Sequence, residues 1–200
     1  MRHRMVDTQI AARGVSDPAV LAAMRTVPRH AFVPAGDSDK AYGDGPLSIG
    51  HGQTISQPYI VALMTELARL TPESRVLEIG TGCGYQTAVL AACASDVYSI
   101  ELEPELSARA ESTLAALGIA NARCRVGDGS VGWPQAAPFD AILVTAAPAE
   151  VPPALLDQLA PGGRLVIPLG TAAQELWVFT HTPEGLSPKP VIPVRFVPLR

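Results

Sequence analysis

From residue 56 onward, apolar strand-like segments alternate with helical segments, and this alternation constrains the fold more than any other feature of the chain. Short apolar runs predict strands over residues 75–79, 97–101, 123–126, 139–145 and 164–169. Apolar positions three and four apart predict helices over residues 57–70, 85–94, 104–117 and 152–159. Apolar strands of this kind are typical of parallel sheets that are covered on both faces. The pattern therefore predicts an α/β fold with a doubly wound, mostly parallel sheet and helices on both faces.

Both ends of the chain add elements to this core. Residues 2–13 and 18–27 predict two extra N-terminal helices. The Pro-Gly-Gly sequence at residues 161–163 predicts a turn into the last parallel strand. Two further β-rich runs, at residues 175–181 and 191–197, predict closing antiparallel strands at the C-terminus.

A glycine-rich segment, residues 35–54, follows neither the helical nor the strand period. An irregular stretch of this length inside a compact domain is typically functional, so we expect it to act as a lid. We expect a single domain over residues 1–200. Residues 1–56 hold the N-terminal helices and the lid-like loop, and residues 57–200 hold the ligand-binding core and the C-terminal strands.

Charge and cysteine content exclude several classes of function. The 15 basic and 19 acidic residues give a net charge of −4, and no basic block is present, so we expect no binding to nucleic acid. The 3 cysteines lack metal-site spacing and are odd in number, so we expect no metal, no disulfide framework and a reducing, cytoplasmic location. No secretory signal is visible and no apolar run reaches the ~18 residues of a membrane span, so we expect no membrane partner.

The sharpest local motif is the glycine loop Gly80-Thr81-Gly82-Cys83-Gly84 at the end of the first predicted parallel strand. Ligands bind at this point of open α/β sheets, and glycine lets the backbone approach them closely. The spacing is not the G-x-G-x-x-G of dinucleotide-binding proteins, because Tyr85 stands where the third glycine would be. The other interpretation of the loop is a tight turn without a ligand.

Three acidic residues accompany the glycine loop. Glu78 opens it and suits a cationic or amino-bearing ligand better than a pyrophosphate, and Glu101 ends the second strand, where an acid binds ribose hydroxyls. Together they favour S-adenosylmethionine, which carries a ribose, an ammonium and a sulfonium. Alternatively, Glu78 pairs with Arg75 and Glu101 is a solvated strand end. Asp128, between two glycines, suits an adenine or ribose edge or a simple turn.

Five blocks of the sequence resemble the bacterial-type protein-L-isoaspartate O-methyltransferases. They are RTVPRHAFVP at residues 25–34, IGHGQTISQPYI at 49–60, VLEIGTGCGYQ at 76–86, PFDAILVTAAP at 138–148 and RFVPL at 195–199. The resemblance implies a single catalytic domain with a Rossmann-like fold that depends on S-adenosylmethionine. The implied reaction moves a methyl group to the free α-carboxyl of an L-isoaspartyl residue in a damaged protein or peptide, with S-adenosylhomocysteine as the product. Repair then proceeds through a succinimide, no metal takes part, and we expect a monomer.

The resemblance also implies roles for individual residues. Ser56 matches the active-site serine, while Thr54, Ser56 and Val197 are expected to contact the substrate. The residues expected around the cofactor are Gln53, Thr54, Ile55, Ser56, Glu78, Gly80, Thr81, Gly82, Gly84, Glu101, Leu102, Asp128 and Gly129.

This reaction requires few charged side chains. The nucleophile is a carboxylate with a pKa near ~3.5, which is already ionised at neutral pH, so no general base is needed. A neutral hydroxyl donor such as Ser56 orients it without stabilising its ground state as Lys or Arg would. From the local pattern alone, Ser56 also suits a helix N-cap.

Three other functions remain to be compared with this one. A nucleic-acid amino-methyltransferase is disfavoured because residues 145–148 read Thr-Ala-Ala-Pro rather than a D/N/S-P-P-Y/F motif. A relative that methylates one dedicated peptide would carry the same motifs. A non-catalytic cofactor-binding module is disfavoured by the intact Ser56, Glu78 and Glu101.

Overall fold

The computed structural model describes residues 1–200, and most of its strands form one seven-stranded sheet. The strands are β1 (Leu47–Gly50), β2 (Gln53–Ile55), β3 (Arg75–Ile79), β4 (Asp96–Glu101), β5 (Ala122–Val126), β6 (Phe139–Val144), β7 (Leu159–Leu169), β8 (Gln174–Thr182) and β9 (Gly185–Val194). The α-helices are α1 (Arg2–Met5), α2 (Pro18–Thr26), α3 (Pro58–Ala68), α4 (Tyr85–Ala91), α5 (Pro104–Ala116) and α6 (Pro153–Leu156). Every strand and helix predicted from residue 56 onward has a counterpart here.

The main sheet has the strand order β5-β4-β3-β6-β7-β8-β9. Strands β3 to β7 pair in parallel, whereas β8 and β9 close the sheet in the antiparallel direction. Side chains on both faces of β3 are buried, since Val76 packs in one apolar cluster and Leu77 in another. The predicted doubly wound, mostly parallel sheet is confirmed.

The order of the strands reverses around β3. Its neighbours are β4 on one side and β6 on the other, so successive connections diverge from this point. A crevice opens at such a reversal, outside the carboxyl ends of the strands. The glycine loop follows β3, and the crevice is therefore the expected position of a ligand.

The N-terminal helices pack against this core. Helix α1 continues through a π-type turn (Val6–Ile10) into a 3₁₀ turn (Ala11–Arg13) and ends at Gly14, whose φ is 95°. This path corresponds to the helix predicted over residues 2–13. Met5, Ile10 and other buried residues of the region share one cluster with α3, α4 and α5.

The segment predicted to be irregular, residues 35–54, is largely ordered. It contains a 3₁₀ helix (Ala35–Lys40) and most of an antiparallel hairpin formed by β1 and β2. The hairpin forms because Ile49 and Ile55, only 2% and 3% exposed, pack into the N-terminal cluster. The apolar residues of this segment follow no helical or strand period, which is why the sequence predicted an irregular loop. The hairpin and the 3₁₀ helix show that this prediction was wrong.

Three boundaries near the C-terminus also differ from the prediction. The helix predicted over residues 152–159 covers only Pro153–Leu156. The predicted turn at residues 161–163 lies inside β7, as an irregularity in its pairing with β6. Strand β9 ends at Val194 rather than continuing to residue 197. The last residues of the chain instead run towards the crevice at the end of β3, where Pro198 forms an isolated bridge with Ala147.

Neither a membrane-spanning helix nor a metal-ligating cluster occurs in the fold. No helix has the length and apolar character needed to cross a bilayer. No group of three or more His, Cys, Asp or Glu side chains is placed to hold a metal ion.

Candidate active site

A cavity of about 720 Å³ lies at the carboxyl ends of β3, β4 and β6. The hairpin strand β2 and the start of α3 border it on one side, and residues 193–200 border it on another. Of the predicted site residues, the following line the cavity: Gln53, Thr54, Ile55, Ser56, Gly80, Thr81, Gly82, Glu101, Leu102, Gly129 and Val197. Glu78, Gly84 and Asp128 do not line it.

The glycine loop forms the floor of the cavity. Gly80 has a φ of 94°, and a Cβ at this position would overlap the hydroxyl of Thr145, at the end of the neighbouring strand β6. That hydroxyl donates to the Gly80 carbonyl at 2.7 Å and to the Ile79 carbonyl at 3.0 Å. Thr145 thus ties the loop to β6, and it lines the cavity itself. No local sequence signal marks this role, because it depends on which strand neighbours β3.

Gly84 serves helix packing rather than the cavity. A Cβ there would lie 3.2 Å from the Cβ of Ala110 on α5. The residue also precedes α4 with a φ of 88°. We conclude that Gly84 allows α4 to begin close to α5, and the expected direct contact with the cofactor is not supported by its position.

Glu101 lies at the cavity wall and is held by the backbone. One carboxylate oxygen accepts the Gly82 N–H at 2.7 Å, and the other accepts the Glu103 N–H at 3.1 Å. The residue is only 7% exposed, which rules out the alternative of a solvated strand end. A carboxylate offers about four acceptor sites, so two remain for hydroxyl groups of a ligand.

Glu78 is buried beneath the loop. One of its oxygens accepts hydrogen bonds from Thr87 Oγ1 at 2.5 Å and Ser99 Oγ at 2.6 Å, while Oε1 has no partner. Burial raises the pKa of this carboxyl to about 8, against the opposing effect of the two hydroxyl donors. The alternative pairing with Arg75 is wrong, since no ion pair joins the two residues and Arg75 donates to the Tyr98 hydroxyl instead.

The Glu78 carboxyl nevertheless connects to the cavity through hydroxyl groups. Ser99 Oγ lies 2.6 Å from Thr81 Oγ1, and Thr81 belongs to the glycine loop and lines the cavity. Because Ser99 donates to Glu78, its oxygen is free to accept from Thr81. Glu78 therefore supports the loop from below rather than touching a ligand from within the cavity.

Asp128 forms a turn. Its side chain is exposed and accepts the Ser130 N–H at 2.8 Å, at the start of a short 3₁₀ helix. The turn interpretation is the one that the structure supports. The adjacent Gly129 does line the cavity, packed so closely on Ile79 that a Cβ would overlap the Ile79 side chain.

Ser56 follows the hairpin and lines the same cavity as the glycine loop. It does not cap α3, because Gln57 is the N-cap residue and no side chain caps the helix. The alternative role as an N-cap is therefore wrong. Gln57 instead donates through Nε2 to Asp44 Oδ1 at 2.7 Å.

The C-terminal segment reaches the cavity without forming a strand. The Val197 carbonyl accepts the Ala147 N–H at 2.8 Å, and the Ala147 carbonyl accepts the Leu199 N–H at 2.9 Å. This backbone pairing places Val197 at the cavity wall. Arg195 and Arg200 line the same wall. Arg195 belongs to the RFVPL block, but neither arginine was predicted as a site residue.

Comparison with known proteins agrees with this geometry. The family described as protein-L-isoaspartate(D-aspartate) O-methyltransferase (PCMT) matches the chain over residues 1–200. The chain belongs to this family. The resemblance inferred from the five sequence blocks is thus confirmed.

Two relatives that are named protein-L-isoaspartate O-methyltransferase illustrate the similarity. The Picosynechococcus sp. protein is 59% identical over 200 residues, which cover 100% of this chain and 90% of the relative. The Gloeobacter violaceus protein is 58% identical over 197 residues, covering 98% and 96% of the two chains.

Two solved structures of PCMT proteins match this chain over nearly its whole length. One protein-L-isoaspartate O-methyltransferase is 31% identical with a TM-score of 0.89, covering 99% of this chain and 65% of that longer chain. A Plasmodium falciparum protein of the same description, solved with S-adenosyl-L-homocysteine, is 27% identical with a TM-score of 0.87. That match covers 100% of this chain and 98% of the other.

Proposed function

We propose that this PCMT protein transfers the methyl group of S-adenosylmethionine to the free α-carboxyl of L-isoaspartyl residues in damaged proteins and peptides. One observation carries the proposal within this family. A single cavity brings Ser56 and its neighbours on the hairpin together with Glu101 and the glycine loop, which are far apart in the chain.

The cavity suits S-adenosylmethionine as the methyl donor. At about 720 Å³ it falls within the usual range of small-molecule sites. We assign the ribose to Glu101, which keeps acceptor sites free, and the methionine end to Gly80 and Gly82, whose missing Cβ atoms open the floor. We assign Leu102 and Gly129 to the remainder of the ligand, because both line the same cavity. When bound, this cofactor supplies an electrophilic methyl group on a sulfonium.

The protein's own contribution is positioning. The substrate carboxylate is already ionised at neutral pH, so none of the side chains around the cavity has to remove a proton. We assign Ser56 Oγ as the donor that orients this carboxylate and Thr54 and Val197 as further substrate contacts. Correct alignment of two reactants contributes about 7–11 kcal/mol to such reactions. Charge is neutralised as the carboxylate approaches the sulfonium, so exclusion of water by the hairpin and the C-terminal segment favours the transition state.

The domain organisation and surroundings complete the proposal. We assign residues 1–200 to one catalytic domain, in which residues 35–54 form the lid over residues 57–200. We also propose that the protein acts as a monomer in the cytoplasm, without nucleic-acid or membrane partners. Its three free cysteines are consistent with a reducing compartment.

Tritiated-methyl transfer from S-adenosylmethionine to paired L-isoaspartyl and L-aspartyl peptides tests the activity. We expect label only on the isoaspartyl peptide. Ser56→Ala should lower turnover by about 100-fold, because loss of one oriented donor has this effect in comparable sites. Its affinity for S-adenosylhomocysteine should stay within about threefold of wild type, since Glu101 and the glycine loop remain.

Ser112→Ala is the matched control, because Ser112 is exposed on α5 and does not line the cavity. Equal labelling of both peptides, or of neither, would refute the proposed reaction. Label confined to one isoaspartyl sequence among many would instead indicate a dedicated peptide substrate. Full turnover of Ser56→Ala would remove Ser56 from the mechanism.

A further inference from the structure

The hairpin that carries the proposed substrate-binding residues is not part of the main sheet. Strands β1 and β2 pair only with each other. Isolated two-stranded hairpins are marginally stable in water, so the position of this one must come from contacts outside it. These contacts decide where residues 53–56 lie relative to the glycine loop.

One group of contacts holds the base of the hairpin. Asp44 precedes β1 and accepts a hydrogen bond from Gln57, which directly follows Ser56, at 2.7 Å. The same carboxylate forms an ion pair with Arg13 of the N-terminal helical region, through both terminal nitrogens of the guanidinium group. Asp44 thus joins the entry and exit of the hairpin and ties both to the N-terminal region.

A second group holds the far end of the hairpin on α5. Arg109 donates through Nη2 to the Ile49 carbonyl at 2.6 Å. The Ile49 side chain is buried and lies against the glycine loop, where a Cβ on Gly82 would be 3.4 Å from Ile49 Cδ1. At the turn, His51 Nε2 lies 3.1 Å from Glu105 Oε2, but the Glu105 side chain is 79% exposed, so this pair contributes little.

The two groups of contacts differ in what they connect. Helix α5 directly follows β4 and Glu101, the acid that we assign to the cofactor ribose. A bond from α5 to β1 therefore links the cofactor side of the cavity to the substrate side. Asp44 fixes the residue next to Ser56 on that substrate side.

We propose that Asp44 and Arg109 are positioning residues for methyl transfer, which hold the β1–β2 hairpin closed over the cavity from its two ends. The inference rests on the proposed function for its kinetic consequence. Neither side chain lines the cavity, so both act through the hairpin rather than on the substrate. We call the contacts of Asp44 and those of Arg109 the two clamps. When either clamp is lost, the closed arrangement of the hairpin is populated for a smaller fraction of the time. The apparent affinity for the substrate and the rate of methyl transfer then fall by that fraction.

The test compares clamp-breaking variants with conservative ones. Asp44→Ala removes the contacts to both partners, whereas Asp44→Asn keeps Oδ1, which accepts from both Gln57 and Arg13. Arg109→Gln shortens the side chain and removes its charge, whereas Arg109→Lys keeps a charged donor. The controls are Asp7→Ala, which breaks a 2.8 Å ion pair to Arg25, and Arg164→Gln, which breaks a 3.0 Å bond to the Leu67 carbonyl.

Two readouts are needed. The first is kcat/KM for an isoaspartyl peptide. We expect Asp44→Ala and Arg109→Gln to lower kcat/KM by about fivefold or more, with the conservative variants and both controls within about twofold of wild type. The second is hydrogen exchange of the backbone amides of residues 47–56. In the two clamp-breaking variants this exchange should become faster by a similar factor, and in the other variants it should match wild type.

The possible outcomes separate the inference from the proposed function. Wild-type kcat/KM and wild-type exchange in Asp44→Ala and Arg109→Gln would overturn the inference. An equal loss in the two controls would overturn it as well, because the effect would then reflect general destabilisation. If the wild-type protein transfers no methyl group, the proposed function fails, and the exchange of residues 47–56 still decides whether the clamps exist.

Discussion

Replacing Glu78 by glutamine should change how the stability of the protein depends on pH. Burial raises the pKa of the Glu78 carboxyl from about 4.5 to about 8 in the folded state. Between these two values the folded protein binds a proton that the unfolded chain has released. The free energy of unfolding of the wild type should therefore fall by about 1.4 kcal/mol for each pH unit in this window.

The Glu78→Gln substitution removes this titration and keeps the hydrogen bonds. The glutamine carbonyl oxygen can accept from Thr87 and Ser99, and the amide nitrogen occupies the place of the unpartnered Oε1. The difference in unfolding free energy, Glu78→Gln minus wild type, should thus rise by about 3 kcal/mol between about pH 5.5 and pH 7.5. All other titrating groups are shared by the two proteins and cancel in this difference.

Urea unfolding at several pH values measures this difference. Glu184→Gln is the matched control, because Glu184 is exposed in the turn between β8 and β9, and its difference from wild type should stay flat. A flat difference for Glu78→Gln would show that Glu78 is ionised in the folded protein, and it would refute the argument from burial. A difference that falls with pH would refute it as well.

Two further substitutions test the backbone. Gly80→Ala should lower the free energy of unfolding by about 3 kcal/mol and weaken the binding of S-adenosylhomocysteine. The reason is that the new Cβ would overlap the Thr145 hydroxyl and that the backbone φ of 94° is unfavourable for alanine. Wild-type values in urea unfolding and in calorimetric titration would contradict this prediction. Arg69→Gly should raise the free energy of unfolding by about 0.5–1 kcal/mol, since Arg69 is the C-cap residue of α3 and has a φ of 51°. Arg69→Ala, which removes the side chain but keeps this conformation, should not share the gain.

The parallel core could be predicted well from the sequence because its signals are local. Strands such as β3 and β6 are apolar along most of their length, and the glycine loop marks the end of β3. The hairpin was missed because Ile49 and Ile55 become informative only once the cluster into which they pack is known. The irregularity in β7 was predicted as a turn because Pro161 and the glycines after it are the residues that usually make turns.

The site was predicted in outline, and the errors at Glu78 and Thr145 share one physical cause. Ser56, Glu101 and the loop glycines Gly80 and Gly82 reach the cavity as expected. Glu78 does not, because its partners Thr87 and Ser99 come from a helix and a strand whose approach no local pattern reveals. Thr145 was overlooked for the same reason, since its role depends on β6 lying beside β3.

The pairing of β3 with β6 has a consequence for the chain during its synthesis. The backbone N–H of Arg75, at the start of β3, donates a hydrogen bond to the Asp140 carboxylate of β6, and the two residues are 65 positions apart in the chain. Until β6 has been made, β3 presents an apolar strand with one open edge, which is a surface that promotes aggregation of incomplete chains. Fragments that end before Val144 should therefore accumulate in the insoluble fraction. The antiparallel strands β7 to β9 differ, because short connections join them and they can pair as soon as they are synthesised.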